Sequence, residues 1–278
     1  MIIRTVFLLL ILTLNGCALL GGHHTRHTKS TSLVQFLYPK GNPPMQDKVN
    51  PTLNLPLKVG LAFIPEQNNS ATISMATKNN LLENVKAAFQ SKVYVDEIII
   101  VPEIYLQRSQ GFSTLEQIKN LYQLDVIALV SYDQVVNGKD NILALSYLTI
   151  VGAYIFPGTG YDVSTLIDLA VIDIESLSIL FRAAGTSGEK DIVAEGYKQQ
   201  AYLKKQNKGF KSAMAQMQTN LLPALDQFEQ RLRAKDPNDT IKVRHREGYS
   251  GSFPVALLIL LTLIASLKSI IVRVKNTQ

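Results

Sequence analysis

Apolar and polar positions in the middle of the chain follow strand and helix periods in turn. Apolar runs that end at proline or at polar turn residues predict three strands: Leu57–Ile64, Val95–Val101 and Asp125–Tyr132. Helical spacing between them predicts two helices: Asn79–Ser91, capped by Asn79 or Asn80, and a shorter helix from a capping box at Ser113 or Thr114 to about Tyr122. This order predicts an α/β domain, in which the nearly all-apolar third strand is central and covered on both faces.

Longer strands and one long helix follow this unit. Turn residues at Asn137-Gly138 and Pro157–Gly160 separate three predicted strands of an antiparallel meander: Ile142–Phe156, Ser164–Glu175 and Ser178–Ala184. Three-four spacing then predicts a helix from Lys190 to about Lys235, with a stripe that docks on the sheet: Phe210, Met214, Met217, Leu221, Leu225, Phe228 and Leu232. Pro223 should kink or interrupt this helix. We therefore expect an α/β (α+β) fold: a βαβαβ unit, an antiparallel β-meander and a long C-terminal helix, plus a C-terminal transmembrane helix.

The predicted strand Ile142–Phe156 contains no charged residue. It is too short to span a membrane as a helix, which takes roughly 20 apolar residues. Two interpretations stay open. The segment is either a fully buried strand, or an apolar hairpin that contacts a membrane or a partner. Tyr147, Tyr154 and Tyr161 fit either one.

The N-terminus has the pattern of an export signal. Met1–Arg4 is a short basic region and Val6–Leu14 is a short apolar one, and they are followed by Asn15-Gly16-Cys17. Cys17 is the only cysteine, so an intrachain disulfide is excluded. A lone exported thiol would be a liability. A buried core cysteine after an uncleaved signal is the alternative.

The segment from Gly21 to Pro56 is rich in glycine, proline, serine and threonine, which predicts a flexible tether. Leu33–Tyr38 is expected to dock locally. His23, His24 and His27 are the only cluster of the metal-ligand type, and we interpret them as solvated linker residues with weak metal binding as the alternative. No metal or cofactor site is predicted.

The last thirty residues have the order of a membrane tail. A segment with Gly248, Ser250, Gly251, Ser252 and Pro254 precedes an apolar run, Val255–Leu267. Basic residues close the chain: Lys268, Arg273 and Lys275. The positive-inside rule places this basic end in the cytoplasm. Glycine, serine and proline make the top of such a helix easy to unwind, as an intramembrane protease requires. A plain tail anchor that is never cut stays the alternative.

Net charge and residue types exclude several function classes. Four of the six net positive charges come from the two end segments, which contain no acidic residue. The middle of the chain therefore has a net charge of only +2. Nucleic-acid binding is therefore not expected. The four histidines lie in the predicted tether or connector, which excludes Ser-His, Cys-His and zinc hydrolase sites in the predicted body. We expect no enzyme.

Carboxylates are the chemistry that remains in the predicted body. Asp168 and Asp173 lie on one predicted strand at an odd separation and so face opposite sides. Asp173 and Glu175 share a side, and Asp162 precedes the strand. Residues at such positions are more often solvated or turn residues than catalytic ones, and a carboxylate-based hydrolase is the third hypothesis for function.

Both ends resemble known sorting signals. Leu14-Asn15-Gly16-Cys17 resembles the lipobox of bacterial lipoproteins. The resemblance implies cleavage by signal peptidase II between Gly16 and Cys17, a diacylglyceryl thioether on Cys17 and an acyl chain such as palmitate on its new amine. Gly251-Ser252 with the apolar run and basic end resembles the GlyGly-CTERM signal, which is recognised by rhombosortase, a rhomboid-type protease. In that signal Gly-Gly is usual where this chain has Gly-Ser.

Together with a body that contains Asp125–Gln134, these ends resemble the rhombotarget lipoprotein family over the whole chain. That family implies no molecular activity. More distantly, Leu166–Asp173 with its turn and returning strand is similar to the domain of curli-secretion lipoproteins and to the N-terminal part of the Tol-system propeller protein. This is a likeness of fold alone.

The resulting hypothesis divides the chain into five parts: residues 1–16 signal peptide, 17–56 flexible tether, 57–235 periplasm-facing α/β domain, 236–251 connector and 252–278 transmembrane sorting tail. The function expected is that of a non-enzymatic envelope lipoprotein with a binding or assembly domain, facing the periplasm of a Gram-negative bacterium. Its partners would be the membrane, signal peptidase II, the acylation enzymes, a rhombosortase-like protease, and an envelope protein or further copies of itself. The alternative is an oligomeric structural component of a secretion or surface assembly that uses the apolar hairpin.

Overall fold

A computed structural model describes residues 24–41, 49–66, 73–107, 111–234 and 239–246. In these ranges the strands are β1 (His24–Ser30), β2 (Thr52–Leu55), β3 (Leu57–Phe63), β4 (Val95–Ile100), β5 (Val126–Asp140), β6 (Thr159–Asp173), β7 (Ser178–Val193) and β8 (Lys242–His245). The α-helices are α1 (Leu33–Leu37), α2 (Met75–Gln90), α3 (Ile104–Gln107), α4 (Phe112–Tyr122), α5 (Ile150–Ile155) and α6 (Lys198–Ala234). Two 3₁₀ helices lie at Ile142–Leu148 and Glu195–Tyr197.

The main sheet is mixed and is organised around β5. Its order is β4-β3-β5-β6-β7, with β3 parallel to β4 and to β5, and β6 antiparallel to β5 and to β7. β3 pairs with the first part of β5, from Val126 to Val130, and β1 pairs antiparallel with the part from Asp133 to Lys139. β1 and β3 therefore share one edge of β5, end to end.

Helices cover both faces of this sheet, as predicted for a central third strand. On one face, α2 and α6 bury residues such as Val85 and Met217 against Val59, Ala128 and Leu169. On the other face α1, α3 and α4 cover a second cluster that includes these residues: Phe36, Leu106, Leu115, Ile127, Leu129 and Ile172. The alternate residues of β5 thus serve two cores, which explains why its first half is almost entirely apolar.

The long helix α6 docks on the sheet through its predicted stripe. All seven stripe residues are buried: Phe210, Met214, Met217, Leu221, Leu225, Phe228 and Leu232. The helix begins at Lys198, because Lys190–Val193 belong to β7, and it continues through Pro223 to Ala234. The expected interruption at Pro223 is therefore wrong. The docked stripe holds the helix together on both sides of the proline.

A small second sheet joins the segment just before β3 to the last described strand. β2 and β8 are parallel, with Thr52 opposite Lys242 and Leu55 opposite His245. The Arg246 N–H continues the ladder by donating to the Leu55 carbonyl, at 3.0 Å. The predicted basic connector is thus a strand in its first part, and it leaves the fold beside the start of β3.

Two further segments differ from their predicted structure. The predicted tether contains β1 and β2, while the expected local docking of Leu33–Tyr38 is confirmed by α1. Asn137-Gly138 lies within β5 rather than in a turn. A Cβ on Gly138 would meet Thr25 Oγ1 at 2.4 Å, so this glycine allows β1 to approach closely.

The meander and the helix caps also need correction. The first meander strand is β5 itself, and Ile142–Phe156 is not a strand but a 3₁₀ helix followed by α5. α2 begins earlier than predicted and is capped by Ser74, whose Oγ accepts from the Thr77 N–H at 3.2 Å. α4 begins after Gly111 and has no side-chain cap, so the predicted capping box is wrong.

The predicted C-terminal transmembrane helix and the predicted lipid site at Cys17 lie outside the described residues. The signal peptide and the processing sites lie outside them too. In the ranges that the structure does describe, no helix is both long and apolar enough to cross a membrane.

Candidate functional site

The connection between β5 and β6 exposes an apolar surface at one end of the sheet. We call it the tip surface, and seven side chains form it: Ile142, Leu143, Leu145, Val151, Tyr154, Ile155 and Phe156. Ile142 is 76% exposed and Ile155 is 63% exposed. The interpretation as a fully buried strand is therefore wrong. The segment is apolar and exposed, as the alternative required, but it is helical rather than a hairpin of strands.

Polar groups of the same segment fix its backbone through hydrogen bonds. Tyr147 Oη accepts a hydrogen bond from the Gly158 N–H at 2.7 Å and donates to the Val193 carbonyl at 3.3 Å. Asn141 Oδ1 accepts from the Leu143 N–H at 2.8 Å, and Thr149 Oγ1 accepts from the Gly152 N–H at 3.0 Å. These bonds begin the 3₁₀ helix and α5. The exposed apolar side chains are therefore held on an ordered frame.

Close backbone contacts tighten this frame further. A Cβ on Gly152 would lie 2.0 Å from the Ser146 carbonyl oxygen, and one on Gly158 would lie 2.4 Å from Ala144 N. Only glycine fits at either position. Tyr154 packs edge-on against Tyr197, with ring centroids 5.8 Å apart, and so ties α5 to the start of α6.

Charged residues ring the base of the tip surface and neutralise one another. Lys198 Nζ lies 3.3 Å from Glu195, and Lys190 Nζ lies 3.6 Å from Asp162. Lys205 Nζ lies 3.2 Å from Asp191, and this contact lowers the pKa of that carboxyl. The base is thus polar but of mixed sign, below an uncharged tip.

A cavity of about 490 Å³ lies beneath the tip, between β1 and the start of α6. Its lining includes His27, Tyr161, Glu195, Lys198 and Tyr202. Tyr161 is 6% exposed, and its Oη has no hydrogen-bond partner among the described residues. Burial, and then the Asp191 carboxylate, raise the pKa of Tyr161 to about 12. His27 and Tyr161 are among the residues that line it, but the Tyr161 Oη itself is buried.

A buried ion cluster lies where the parallel strands β3 and β4 end. Lys78 Nζ, on α2, lies 3.2 Å from Glu66 Oε1 and 3.0 Å from Glu103 Oε2. The same ammonium group lies over the rings of Phe63 and Tyr132, at 5.7 Å and 6.0 Å. Burial, and then the Glu66 carboxylate, raise the pKa of Tyr132. The side chains of Lys78 and Glu103 are 4% and 7% exposed, so the cluster fixes α2 on the sheet.

Sequence reasoning missed this cluster, although a signal was present. Pro65-Glu66 follows β3, and Pro102-Glu103 follows β4. Equivalent residues after adjacent parallel strands reach the same edge of a sheet, where polar groups meet. Lys78 gave no signal of its own, since it is one polar position among several in an amphipathic helix.

A second cavity, of about 430 Å³, lies at the opposite end of the sheet from the tip. Its lining is mainly apolar and includes Leu55, Tyr94, Leu232 and Val243. Tyr94 Oη donates to the Leu225 carbonyl at 3.2 Å. Burial raises the pKa of Tyr94, and the carboxylates of α6 raise it further.

The predicted carboxylates do not form one site. Asp168 is buried and receives Arg182 in two hydrogen bonds, at 2.8 Å and 3.2 Å. Asp173 Oδ2 accepts from the Ser176 N–H at 3.0 Å and from its hydroxyl, which confirms a turn residue. Glu175 pairs with Lys119 at 3.4 Å. Asp168 departs from the expected solvated role, because Arg182 neutralises it within the sheet.

The described histidines belong to the folded body, which corrects their expected place in tether and connector. His24 and His27 lie in β1, and His245 lies in β8. His27 packs edge-on against Tyr202, with ring centroids 6.4 Å apart. In the described part of the chain, no three His, Cys, Asp or Glu side chains come together as metal ligands. His23, Gly16, Cys17, Gly251 and Ser252 lie outside it.

The chain has no match among protein-family models or curated proteins. Among solved structures it is similar to a homolog of neuraminyllactose-binding hemagglutinin from Helicobacter pylori, with 10% identity and a TM-score of 0.36 over 68% of this chain and 97% of that one. It is also similar to the PelC dodecamer of Paraburkholderia phytofirmans in two crystal forms, with 10% identity and TM-scores of 0.29 and 0.25 over 73% of this chain and 97% of that one. Likenesses at this level carry no argument about function.

Proposed function

We propose that the chain is a non-enzymatic lipoprotein of the bacterial cell envelope, whose described domain is a binding or assembly module. The tip surface is the observation that carries the proposal. Seven large apolar side chains stay exposed on a frame that hydrogen bonds and close glycine contacts hold in shape. Soluble monomers rarely expose a contiguous apolar patch of this kind unless it meets a partner or a membrane.

The anchoring part of the proposal comes from the two chain ends. Cys17 carries the lipid after cleavage at Gly16, and a rhomboid-type protease cuts near Gly251-Ser252. Two or three acyl chains anchor a protein stably where one does not. The tail helix is then a temporary second anchor, and the final location is the outer membrane or the cell surface.

Intact mass tests the anchoring directly. The protein is purified from the membranes of its own host and measured without proteolysis. A mass that includes the acyl chains and lacks the residues after about Gly251 is the expected result. A full-length, unlipidated protein would contradict the proposal.

An oligomeric component of a secretion or surface assembly is the second candidate, and the same tip surface favours it. Detergent-free fractionation with size analysis separates the two candidates. A ring-sized particle that dissociates when Val151 and Ile155 are both replaced by serine supports the assembly role. Size unchanged by these substitutions supports a monomeric binding module.

A further inference from the structure

The first described strand begins beside the tip surface. In the antiparallel pair of β1 and β5, His24 lies opposite Lys139, and Ser30 lies opposite Asp133. Lys139 and Asp140 are the last residues of β5 before the tip segment. The chain therefore enters the fold at the tip end of the sheet and runs away from it.

This register limits how far the N-terminal anchor lies from the tip. Cys17 precedes His24 by seven residues. Seven residues reach at most about 25 Å when fully extended. A lipid on Cys17 would thus hold the tip end of the sheet close to the bilayer, whatever conformation the linking residues take. This step rests on the proposed function, because it needs the lipid at Cys17.

The chemistry of the tip fits a bilayer interface. From Asn141 to Tyr161 the sequence has no charged residue. Asn141 and Thr149 are bonded within the segment and Tyr147 is bonded to Gly158 and to the Val193 carbonyl, so insertion would bury few unpaired donors. Tyr154 and Tyr197 stand at the side of the tip, as aromatic residues do at membrane interfaces.

The base of the tip is compatible with lipid headgroups. Glu195 and Asp162 are each paired with a lysine, so the acids do not present an unbalanced negative surface. A second copy of the chain would also cover apolar side chains, but nothing in the described residues places one there. The start of β1, by contrast, places the predicted lipid within reach.

We infer that the tip surface inserts into the leaflet that holds the Cys17 lipid and forms a second, peptide contact with the bilayer. Interfacial helices of this type lie about 5–10 Å into the boundary between headgroups and acyl chains. The domain would then stand on the membrane in a fixed orientation instead of swinging on its lipid.

Single-thiol labelling tests this inference in the lipidated chain that ends after Ser252, because the proposed function removes the tail. A lipidated Cys17 has no free thiol, so Ile155→Cys or Val151→Cys supplies the only one. The two positions lie one turn apart on α5, and both are strongly exposed, so neither change should disturb folding. Val93→Cys is the matched control, because Val93 is 79% exposed beside the opposite end of the sheet.

Each variant is labelled with an environment-sensitive fluorophore and reconstituted into phosphatidylethanolamine–phosphatidylglycerol vesicles with or without nitroxide lipids. We expect quenching by nitroxide lipids to be several-fold stronger at positions 155 and 151 than at position 93. Equal quenching at all three would overturn the inference. A label at position 155 that neither the lipid nitroxide nor aqueous iodide reaches would also overturn it and would indicate a protein partner. Two labels per chain would show a free thiol at Cys17. That result would overturn the lipidation on which the proposed function rests.

Discussion

Arg246 donates from Nη2 to both carboxylate oxygens of Asp125, at 2.8 Å each. Asp125 immediately precedes β5, so this pair fixes the point where the C-terminal segment leaves the fold. At the other end of β5, His24 lies opposite Lys139. The 15 residues of β5 extend about 45 Å. The two segments that lead to the predicted anchors therefore leave from opposite ends of the sheet.

The closest contact between the sheet and α6 predicts a sensitive position at Gly185. A Cβ there would lie 2.1 Å from the Ala213 carbonyl oxygen and 2.3 Å from Met217 N. We expect Gly185→Ala to destabilise the protein by about 1–3 kcal/mol, because backbone atoms cannot move aside as a side chain can. Thermal unfolding of the detergent-solubilised protein measures this effect. Gly188→Ala in the same strand is the control, since nothing lies within 4 Å of a Cβ there. Equal shifts for the two variants would contradict the packing argument.

The buried cluster predicts a large effect of removing its cation. Lys78→Met leaves the carboxylates of Glu66 and Glu103 buried without a counter-charge. Breaking a buried pair in this way costs about 3–5 kcal/mol. Urea unfolding should show this loss, and adding Glu103→Gln to Lys78→Met should recover part of it. Lys92→Met is the control, because its partner Asp226 is largely exposed and such surface pairs contribute less than about 1 kcal/mol. A loss of that small size for Lys78→Met would show that the cluster is solvated.

The raised pKa of Tyr161 predicts that the folded protein loses stability at alkaline pH. The pKa of Tyr161 is raised to about 12 in the folded protein, whereas the pKa of a tyrosine in the unfolded chain is about 10. The unfolded state therefore loses its proton first as pH rises, and stability that is complete below pH 10 falls between pH 10 and 12. Tyr161→Phe should leave the melting temperature at pH 7 unchanged and make its decline above pH 10 shallower. Identical pH profiles for the two proteins would contradict this assignment.

Local pattern sufficed for the elements whose own residues carry the period of a strand or of a helix. The strands near Leu57–Ile64 and Val95–Val101 and the docked stripe of α6 agree with the periods of their apolar residues. Asn137-Gly138 shows where this fails. The dipeptide has the composition of a turn, yet β1, more than a hundred residues earlier, pairs with it as strand. Pairing over such a distance leaves no periodic signal at the glycine itself.

The tip segment shows a different limit. An uncharged run of apolar residues predicts that its side chains are buried away from water. It does not predict whether they are buried in the protein's own core or against a partner. Asn141 and Thr149 were the informative residues, because their side chains cap the two short helices of the segment. The Lys78 cluster was hidden in part: its two carboxylates follow adjacent strands in the sequence, but Lys78 meets them only when α2 docks on the sheet.

The separation of the two chain ends predicts that tail cleavage controls insertion of the tip. From Arg246 to the apolar run at Val255 the connector has nine residues, which reach at most about 30 Å. This is less than the length of β5, so an uncut tail in the same bilayer would keep the sheet from standing upright on its tip. Lipid quenching of the label at position 155 should therefore rise when the chain is truncated after Ser252. The same rise should follow when a long Gly-Ser linker is inserted after Glu247 in the uncut chain. Equal quenching in all three proteins would show that the domain reaches the bilayer with its tail in place.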